Sequence, residues 1–271
     1  MAQQNENRPA SHKPADDDPG PPFPRVREVP AAAPLRWIGR GLGDLRACPI
    51  PSLFYGFCFT GMGLLLTIIF RHAYEYTAAL TSGFLILGPF LAMGLYELSR
   101  RRERGESCTL VPTLTVWRRN AGNIGVFAVV LGVVFLVWAR ASLVVFALFY
   151  TEEMPSLSGF VGQMLRLENL EFIAVYFGVG LIFAFVAFAA SVVSIPLMLD
   201  RNQDAVSAML ASFGALLRNP APMLLWAVLI VSLTLIGFLT FHVGLVLTMP
   251  IVGHATWHAY RDLVEPPAGK T

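Results

Sequence analysis

Charged residues are scarce in this sequence of 271 residues, and cysteine is close to absent. Charged side chains make up 14% of the chain and apolar ones 55%, whereas a soluble domain carries about 25% charged residues. The few charges are also unevenly spread, because long stretches contain none. A charge at mid-membrane costs about 2.5 to 3.5 kcal/mol on insertion scales, so this distribution predicts an integral membrane protein rather than a soluble domain.

The cysteines and the catalytic motifs are informative mainly by what is missing. Cys48, Cys58 and Cys108 form an odd count without CxxC spacing, so a disulfide framework is not expected. The sequence contains no glycine-rich phosphate loop, HExxH motif or GxSxG motif, which gives no support for nucleotide binding, zinc proteolysis or serine hydrolysis. A net charge of +2 provides no overall nucleic-acid footprint.

The first 34 residues differ from everything that follows. They hold eight prolines and a run of three aspartates that begins at Asp16, with almost no large apolar residue. Such a segment lacks the apolar core of a signal peptide and cannot bury enough surface to offset its ordering entropy. We predict that residues 1–34 are a disordered cytoplasmic tail, with a docking tail for a partner as the alternative.

Six apolar segments follow the tail and alternate with charged loops. They cover residues 52–70, 76–99, 123–150, 172–199, 223–241 and 243–260. A bilayer core about 30 Å thick needs roughly 20 helical residues to cross, and an isolated strand cannot satisfy its backbone in lipid. The sequence therefore predicts an all-α polytopic transmembrane bundle over residues 35–264, with about six membrane-spanning helices and a short cytoplasmic tail at 265–271.

The basic residues predict the orientation of this bundle. With the N-terminus inside, seventeen Lys and Arg residues fall in cytoplasmic segments, two in external loops and one, Arg140, inside a crossing. The predicted external loop 151–171 is acidic instead. This bias follows the positive-inside rule and places both termini in the cytoplasm. A model with five crossings would leave the C-terminus outside.

A weak threefold pattern runs through the chain. Amphipathic segments at 35–46, 112–119 and 205–218 precede the odd-numbered crossings and suit short helices in the cytoplasmic interface. Each even-numbered crossing carries a proline, namely Pro89, Pro196 and Pro250, which we predict to kink its helix. The alternative is that any protein made of membrane hairpins needs such turns and basic anchors.

Five runs of residues are distinctive enough to compare with known families. They are Pro51–Gly56, Leu95–Arg101, Ser194–Arg201, Asn219–Trp226 and Gly253–Asp262. Together they resemble a bacterial integral-membrane family known as domain of unknown function 2189, over roughly residues 34–264. The resemblance implies a bacterial inner-membrane location and no activity. Some members are labelled as cytochrome c oxidase subunits, but the catalytic oxidase subunit has about twice as many crossings and a full set of haem and copper histidines.

Two features inside the crossings are candidate sites. Arg140 lies ten residues before Tyr150, about 15 Å of helix. It is either paired within the protein, snorkelling to the interface, or part of a transport path. The fourth crossing contains small residues four apart, such as Gly180 with Ala184 and Ala190 with Ser194, and these predict close helix packing without chemistry.

His254 and His258 are the weak candidates for cofactor binding. They lie four residues apart in the sixth crossing and so share a helix face, a spacing that can bind zinc when further ligands are present. His72 and His242 are predicted near the external side and should not reach them. Because Trp257 and Tyr260 are neighbours, we favour interfacial packing in an aromatic belt over metal or haem ligation.

The function that the sequence favours is that of a non-enzymatic accessory or scaffold protein in a complex of the bacterial inner membrane. One alternative is a small-solute or lipid transporter that encloses a cavity with kinked helices. A second is a haem- or metal-binding protein associated with a respiratory oxidase. We predict no catalytic residue, metal or cofactor, and partners limited to the lipid bilayer and other membrane proteins, with no nucleic acid. A polar cavity at mid-membrane would favour transport, and a close-packed bundle would favour scaffolding.

Overall fold

The computed structural model describes residues 24–72, 77–149 and 169–266. Its helices, numbered in chain order, are α1 (Ala33–Ala47), α2 (Pro49–His72), α3 (Thr77–Glu103), α4 (Val111–Leu114), α5 (Ala121–Phe149), α6 (Leu170–Ser191), α7 (Ser194–Arg201), α8 (Ala205–Arg218), α9 (Pro220–Leu239) and α10 (Leu245–Leu263). A 3-10 helix, Val116–Asn120, joins α4 to α5. The predicted all-α class is confirmed, since these residues form no strand.

Four stretches are long and apolar enough to cross a membrane. They are Pro49–Ile69, Val116–Phe149, Leu170–Arg201 and Pro220–Leu239, and they match the first, third, fourth and fifth predicted crossings. Helices α3 and α10 have 27 and 19 residues, but they are not among the four. The second half of α10 is rich in polar side chains, which lowers its hydropathy. A membrane protein is thus confirmed, whereas six crossings remain a prediction.

Proline and capping side chains mark several helix boundaries. The Asp204 carboxylate accepts a hydrogen bond from the backbone N–H of Ser207 and caps α8, while α9 begins with Pro220. Pro196 is the third residue of α7, directly after the interruption that separates α7 from α6, because proline has no N–H to continue the ladder. Pro89 and Pro250 lie inside α3 and α10, and a kink at either one stays a prediction.

The buried core is concentrated at one end of the bundle. We call this the basal end; there α2, α5 and α9 begin, and α3, α7 and α10 finish. The largest fully buried side chains of the basal core include Trp37, Met93, Phe127, Leu197, Trp226 and Trp257. The rings of Trp37 and Trp226 meet edge to face at 5.8 Å, a favoured geometry for aromatic pairs. Beyond this layer, α5, α6 and α9 present many apolar side chains outward.

The threefold pattern of the sequence reappears as a ring of packing contacts. Each leading segment packs against the closing helix of another hairpin: α1 against α10, α4 and the 3-10 helix against α3, and α8 against α6 and α7. The contact between α1 and α10 closes the ring. A glycine makes this contact possible, because a Cβ on Gly41 would lie 2.8 Å from the backbone nitrogen of Ala255.

The last part of the predicted tail is ordered. Val26 forms an isolated antiparallel bridge with Val264. The Asn219 side chain accepts a hydrogen bond from the Val29 N–H at 2.8 Å and donates one to the Arg27 carbonyl at 3.0 Å. Backbone pairing and a side-chain amide therefore hold parts of residues 24–32, and the tail boundary at residue 34 stays a prediction. The rest of the tail, residues 1–23, lies outside the described residues.

The expectation about cysteine is also wrong. Cys48, between α1 and α2, and Cys108, in the loop after α3, form a disulfide with a Cα–Cα distance of 5.5 Å. The two residues are 60 positions apart, so no local spacing could reveal the pair. Only the return of α3 beside α1 brings them together. Cys58 is a free cysteine.

Candidate functional site

Five polar side chains from four helices meet inside the basal end, and we call them the histidine network. Its members are Asp44 of α1, Ser52 of α2, Ser99 of α3, and His254 and His258 of α10. All five are buried, and Ser52, Ser99 and His254 have no exposed surface. Buried polar groups in such a place must be satisfied by one another.

Helical periodicity on both sides of the contact produces this meeting. Asp44, Cys48 and Ser52 are spaced by four residues along the α1–α2 corner, as His254 and His258 are along α10. Residues four apart share a helix face, so each element presents a row of side chains to the other. The close approach of α1 to α10 at Gly41 then brings the two rows within hydrogen-bonding distance.

His254 stands at the centre of the network. Its Nε2 lies 2.9 Å from the Ser52 hydroxyl and its Nδ1 lies 2.8 Å from the Ser99 hydroxyl. Ser99 donates its single hydrogen to Asp44 Oδ2 at 2.5 Å. Ser99 must therefore accept from Nδ1–H of His254, which leaves Nε2 as the acceptor in a neutral ring.

The Ser52 hydroxyl has two acceptors within reach. It lies 2.7 Å from the Cys48 carbonyl, to which it donates, and 2.9 Å from His254 Nε2. One hydrogen cannot serve both acceptors fully. A second proton on His254 would let Nε2 donate to Ser52 while Ser52 donates to Cys48. The network thus has room for one additional proton without any movement of heavy atoms.

Asp44 carries the negative charge of the network. Its carboxylate accepts from His258 Nε2 at 2.9 Å and from Ser99, and pairs with Arg102. Burial alone would raise the pKa of Asp44, but the hydrogen bonds from His258 and Ser99 and the two nearby imidazoles outweigh it. The pKa of Asp44 therefore lies below its ordinary value of 3.8.

His258 links the network to the protein surface. Its Nδ1 is buried without a hydrogen-bond partner among the described residues, and it lies 3.9 Å from the half-buried carboxylate of Glu103. Glu103 also pairs with Arg261 at 3.2 Å. His258 consequently sits between two carboxylates, with one ring nitrogen engaged and one not.

A second cluster of charges joins the same helices at their basal ends. Glu97 is buried and pairs with Arg100 at 3.0 Å and with Arg119 at 3.1 Å. Asp200 accepts a hydrogen bond from the Tyr260 hydroxyl at 2.7 Å and lies 3.7 Å from Arg100. Glu97 and Asp200 therefore tie α3, the 3-10 helix, α7 and α10 together.

The structure brings His254 and His258 together, but not where the sequence placed them. The prediction of an interfacial aromatic belt is wrong, because Trp257 and Tyr260 are as fully buried as His254. Their helix is central and packs against α1, α2, α3 and α9. Arg140 is not part of the site: it lies on the exposed side of α5, without an ion pair among the described residues.

Three members of the network were missed by sequence reasoning. Asp44 lies in the amphipathic segment 35–46, and Ser52 and Ser99 lie at the ends of the predicted crossings 52–70 and 76–99, so no motif marks any of them. The available signal was the spacing of four that Asp44, Cys48 and Ser52 share with the histidine pair. Which row faces which depends on tertiary packing, and spacing alone does not supply it.

The chemistry open to the network is limited by burial. Ser52 beside His254 has the contact of a nucleophile and its base, but Ser52 has no exposed surface through which a substrate could approach. No group of three His, Cys, Asp or Glu side chains suitable for a metal occurs in the described part of the chain. A surface pocket of about 550 Å³ between α1 and α10 is lined by Arg36, Gly39, Arg40 and Asp262, and no network residue lines it.

Comparison with known proteins confirms the resemblance over the middle of the chain. Residues 77–200 match the model of a family described as a predicted integral membrane protein, domain of unknown function 2189. The matched range runs from α3 to α7 and includes the runs Leu95–Arg101 and most of Ser194–Arg201. The histidine run Gly253–Asp262 lies outside it. No curated protein and no solved structure matches the chain.

Proposed function

We propose that this protein is a non-enzymatic accessory protein of a membrane complex, with a rigid basal end and a lateral face for another membrane helix. The observation that carries the proposal is the closure of the histidine network. Its carboxylate, hydroxyls and all but one of its imidazole nitrogens bond to one another, at positions with almost no exposed surface. A site built to bind a substrate keeps polar groups free and accessible.

The α5–α6 hairpin is the face that we assign to a partner helix. These two helices pack mainly against each other and against α8, and their apolar side chains point outward. Gly180 lies beside Trp138 of α5, where a Cβ would come within 3.8 Å of the indole nitrogen, and Ala184 is exposed on α6. The small side chain of Ala184 allows another membrane helix to approach the outer surface of α6 closely. By contrast, the second small pair, Ala190 and Ser194, is buried inside the protein, where the Ser194 hydroxyl donates a hydrogen bond to the Ala208 carbonyl of α8.

Site-specific crosslinking in native membranes tests this assignment. A photoreactive amino acid replaces Leu181, which is 71% exposed on α6, or Leu235, which is 53% exposed on α9. We expect a discrete protein adduct from Leu181 and only lipid adducts from the matched control at Leu235. Lipid adducts alone at both positions, from a protein that purifies as a monomer, would contradict the proposal.

We also propose that the basal end faces the cytoplasm of a bacterium, with both termini on that side. Arg100, Arg102 and Arg119 lie at this end, in agreement with the ratio of seventeen to two in the basic residues. Reporter fusions at Glu106, at Ser158 and at the C-terminus test it. A periplasmic signal from the C-terminal fusion would overturn the count of six crossings.

Transport of a small solute or lipid is the second candidate, and one observation favours it. A chain of proton-accepting groups runs from the surface into the bundle, in the order Glu103, His258, Asp44, Ser99, His254 and Ser52. Such chains mark proton paths in membrane proteins. Purified protein in liposomes with an internal pH dye tests it. Collapse of an imposed pH gradient by the natural sequence, but not by Ser99→Ala, would favour transport over scaffolding.

A further inference from the structure

We propose that Cys48 and Cys108 form a reversible dithiol–disulfide site that reacts with disulfide-containing oxidants, either small molecules or proteins. The pair joins the α1–α2 corner to the loop after α3, and the two cysteines are 60 positions apart in the sequence. The proposal goes beyond the accessory function and rests on the cytoplasmic placement of the basal end. Cytoplasmic thiols are kept reduced, so that disulfides there are usually transient.

The surroundings of the two sulfurs give each cysteine its own role. Cys48 is 1% exposed, whereas Cys108 is partly exposed in a surface loop. Arg101 donates from Nε to the carbonyl of Ser107 at 3.1 Å, so a guanidinium is held beside the residue that precedes Cys108. The same guanidinium pairs with the Glu106 carboxylate at 3.3 Å, so access distinguishes the two cysteines: an oxidant can reach the partly exposed thiol but not the buried one. Cys108 is therefore the attacking cysteine and Cys48 the resolving one.

The reaction is an ordinary two-step exchange. The Cys108 thiolate attacks one sulfur of an oxidant RS–SR, which forms a mixed disulfide and releases RS⁻. The Cys48 thiolate then attacks the Cys108 sulfur and releases the second RS⁻ as the internal bond closes. Two protein thiols are oxidised, one external disulfide is reduced, and the two protons lost by the protein thiols pass to the released thiolates.

The bond is placed where it can influence the histidine network. The carbonyl of Cys48 accepts the hydrogen bond from Ser52, and Ser52 contacts His254. Opening the bond frees the corner that carries Asp44 and Ser52 from the loop after α3. We expect the oxidised protein to resist proteolysis in the loop 104–110 better than the reduced protein.

Thiol trapping of the full-length protein tests the proposal. Membranes equilibrated with glutathione at different ratios of disulfide to thiol are quenched in acid and labelled with a maleimide that adds a visible mass. We expect one label, on Cys58, under oxidising conditions and three labels under reducing conditions, with the transition spread over a roughly hundredfold change in the ratio. Cys58→Ser is the control and should lose one label under both conditions.

The single variants separate an exchange site from a merely structural bond. With glutathione disulfide, Cys48→Ser should accumulate a glutathione adduct on Cys108 at least roughly tenfold faster than Cys108→Ser does on the buried Cys48. In growing cells the pair should be reduced, and it should oxidise after addition of a thiol oxidant. Equal adduct formation in the two variants, three labels under every condition, or a bond that opens only after unfolding would overturn the proposal. A disulfide that stays closed in unstressed cells would overturn the proposal too. If the reporter fusion at Glu106 then gave a periplasmic signal, the cause would be a wrong orientation of the basal end, and the proposed accessory function would be unaffected.

Discussion

Helices α5 and α10 differ sharply in length and in how much of their surface is buried. Helix α5 has 29 residues, mostly apolar and outward-facing, with three of its side chains buried: Ile124, Phe127 and Val145. Helix α10 has 19 residues, and those from Val252 to Tyr260 are all buried although they include two histidines and a threonine. Hydropathy therefore finds the helix that faces lipid and undervalues the helix at the centre. In this bundle the outward-facing helix α5 is almost entirely apolar, and the polar side chains that hydrogen-bond to one another lie on the buried helix α10.

The largest loss of stability should come from removing the negative charge of Asp44, which α10 contacts through His258. Asp44→Asn leaves Arg102 without its carboxylate and puts an amide against the donor of His258. Because breaking a buried ion pair strands its partners, we expect a loss of about 3 kcal/mol in the free energy of unfolding. Thermal unfolding of the purified protein in detergent measures it. Glu28→Gln, which breaks an exposed pair with Arg218, is the control and should cost less than about 1 kcal/mol.

Replacing a leucine of the buried basal core should destabilise the protein far more than replacing a leucine on the outward face of α5. Leu95 is fully buried on α3 against Gly253, whereas Leu136 on α5 is 61% exposed. Leu95→Ala should cost about 3 kcal/mol, because it removes apolar contacts and leaves a cavity. Leu136→Ala should change stability by less than about 0.5 kcal/mol. Equal shifts in the midpoint of thermal unfolding would mean that the basal end is no better packed than the lipid-facing helices.

Acid should weaken the polar interior more than the apolar exterior. The carboxylate of Asp44 has a pKa below 3.8 in the folded protein, so the unfolded state binds its proton more readily. Its contribution to stability is complete above the unfolded pKa and is lost as the pH falls through the folded pKa. The melting temperature should therefore drop below about pH 4. Asp44→Asn should show a shallower drop over that range, and parallel curves for the two proteins would argue against this role of Asp44.

The smallest effect is expected at Arg140. The residue lies nineteen positions into α5, about 28 Å from the helix start, and its side chain is exposed. A position near the far edge of the bilayer suits a snorkelling side chain. Arg140→Leu should leave the unfolding midpoint in detergent unchanged to within about 0.5 kcal/mol. A large loss of stability would instead place Arg140 in a buried pair, the hypothesis that the sequence also allowed.

The sequence predicts helices well where the pattern of residues within one segment is enough to define the helix. A helix, Ala121–Phe149, covers nearly all of the apolar segment 123–150, because an unbroken apolar run of this length favours a single helix; its crossing of the bilayer stays a prediction. Sequence reasoning failed where the environment of a residue is set by another part of the chain. Asp44 lies in a helix whose other polar residues are exposed, and only α10 makes its position buried. Cys48 and Cys108 are joined by the return of a hairpin, and no local pattern encodes that distance.

The closure of the ring by α1 and α10 has a consequence for biogenesis. Helices enter the membrane in the order of synthesis, so α1 is made long before the helix against which it packs. Until α10 arrives, Asp44 and Ser99 lack His254 and His258, and the corner of α1 has no close-packed neighbour at Gly41. A chain that stalls before α10 therefore holds the Asp44 carboxylate only through Arg102 and Ser99, without the hydrogen bond from His258, and leaves the glycine face of α1 open. The histidine network therefore forms only when α10 docks onto α1.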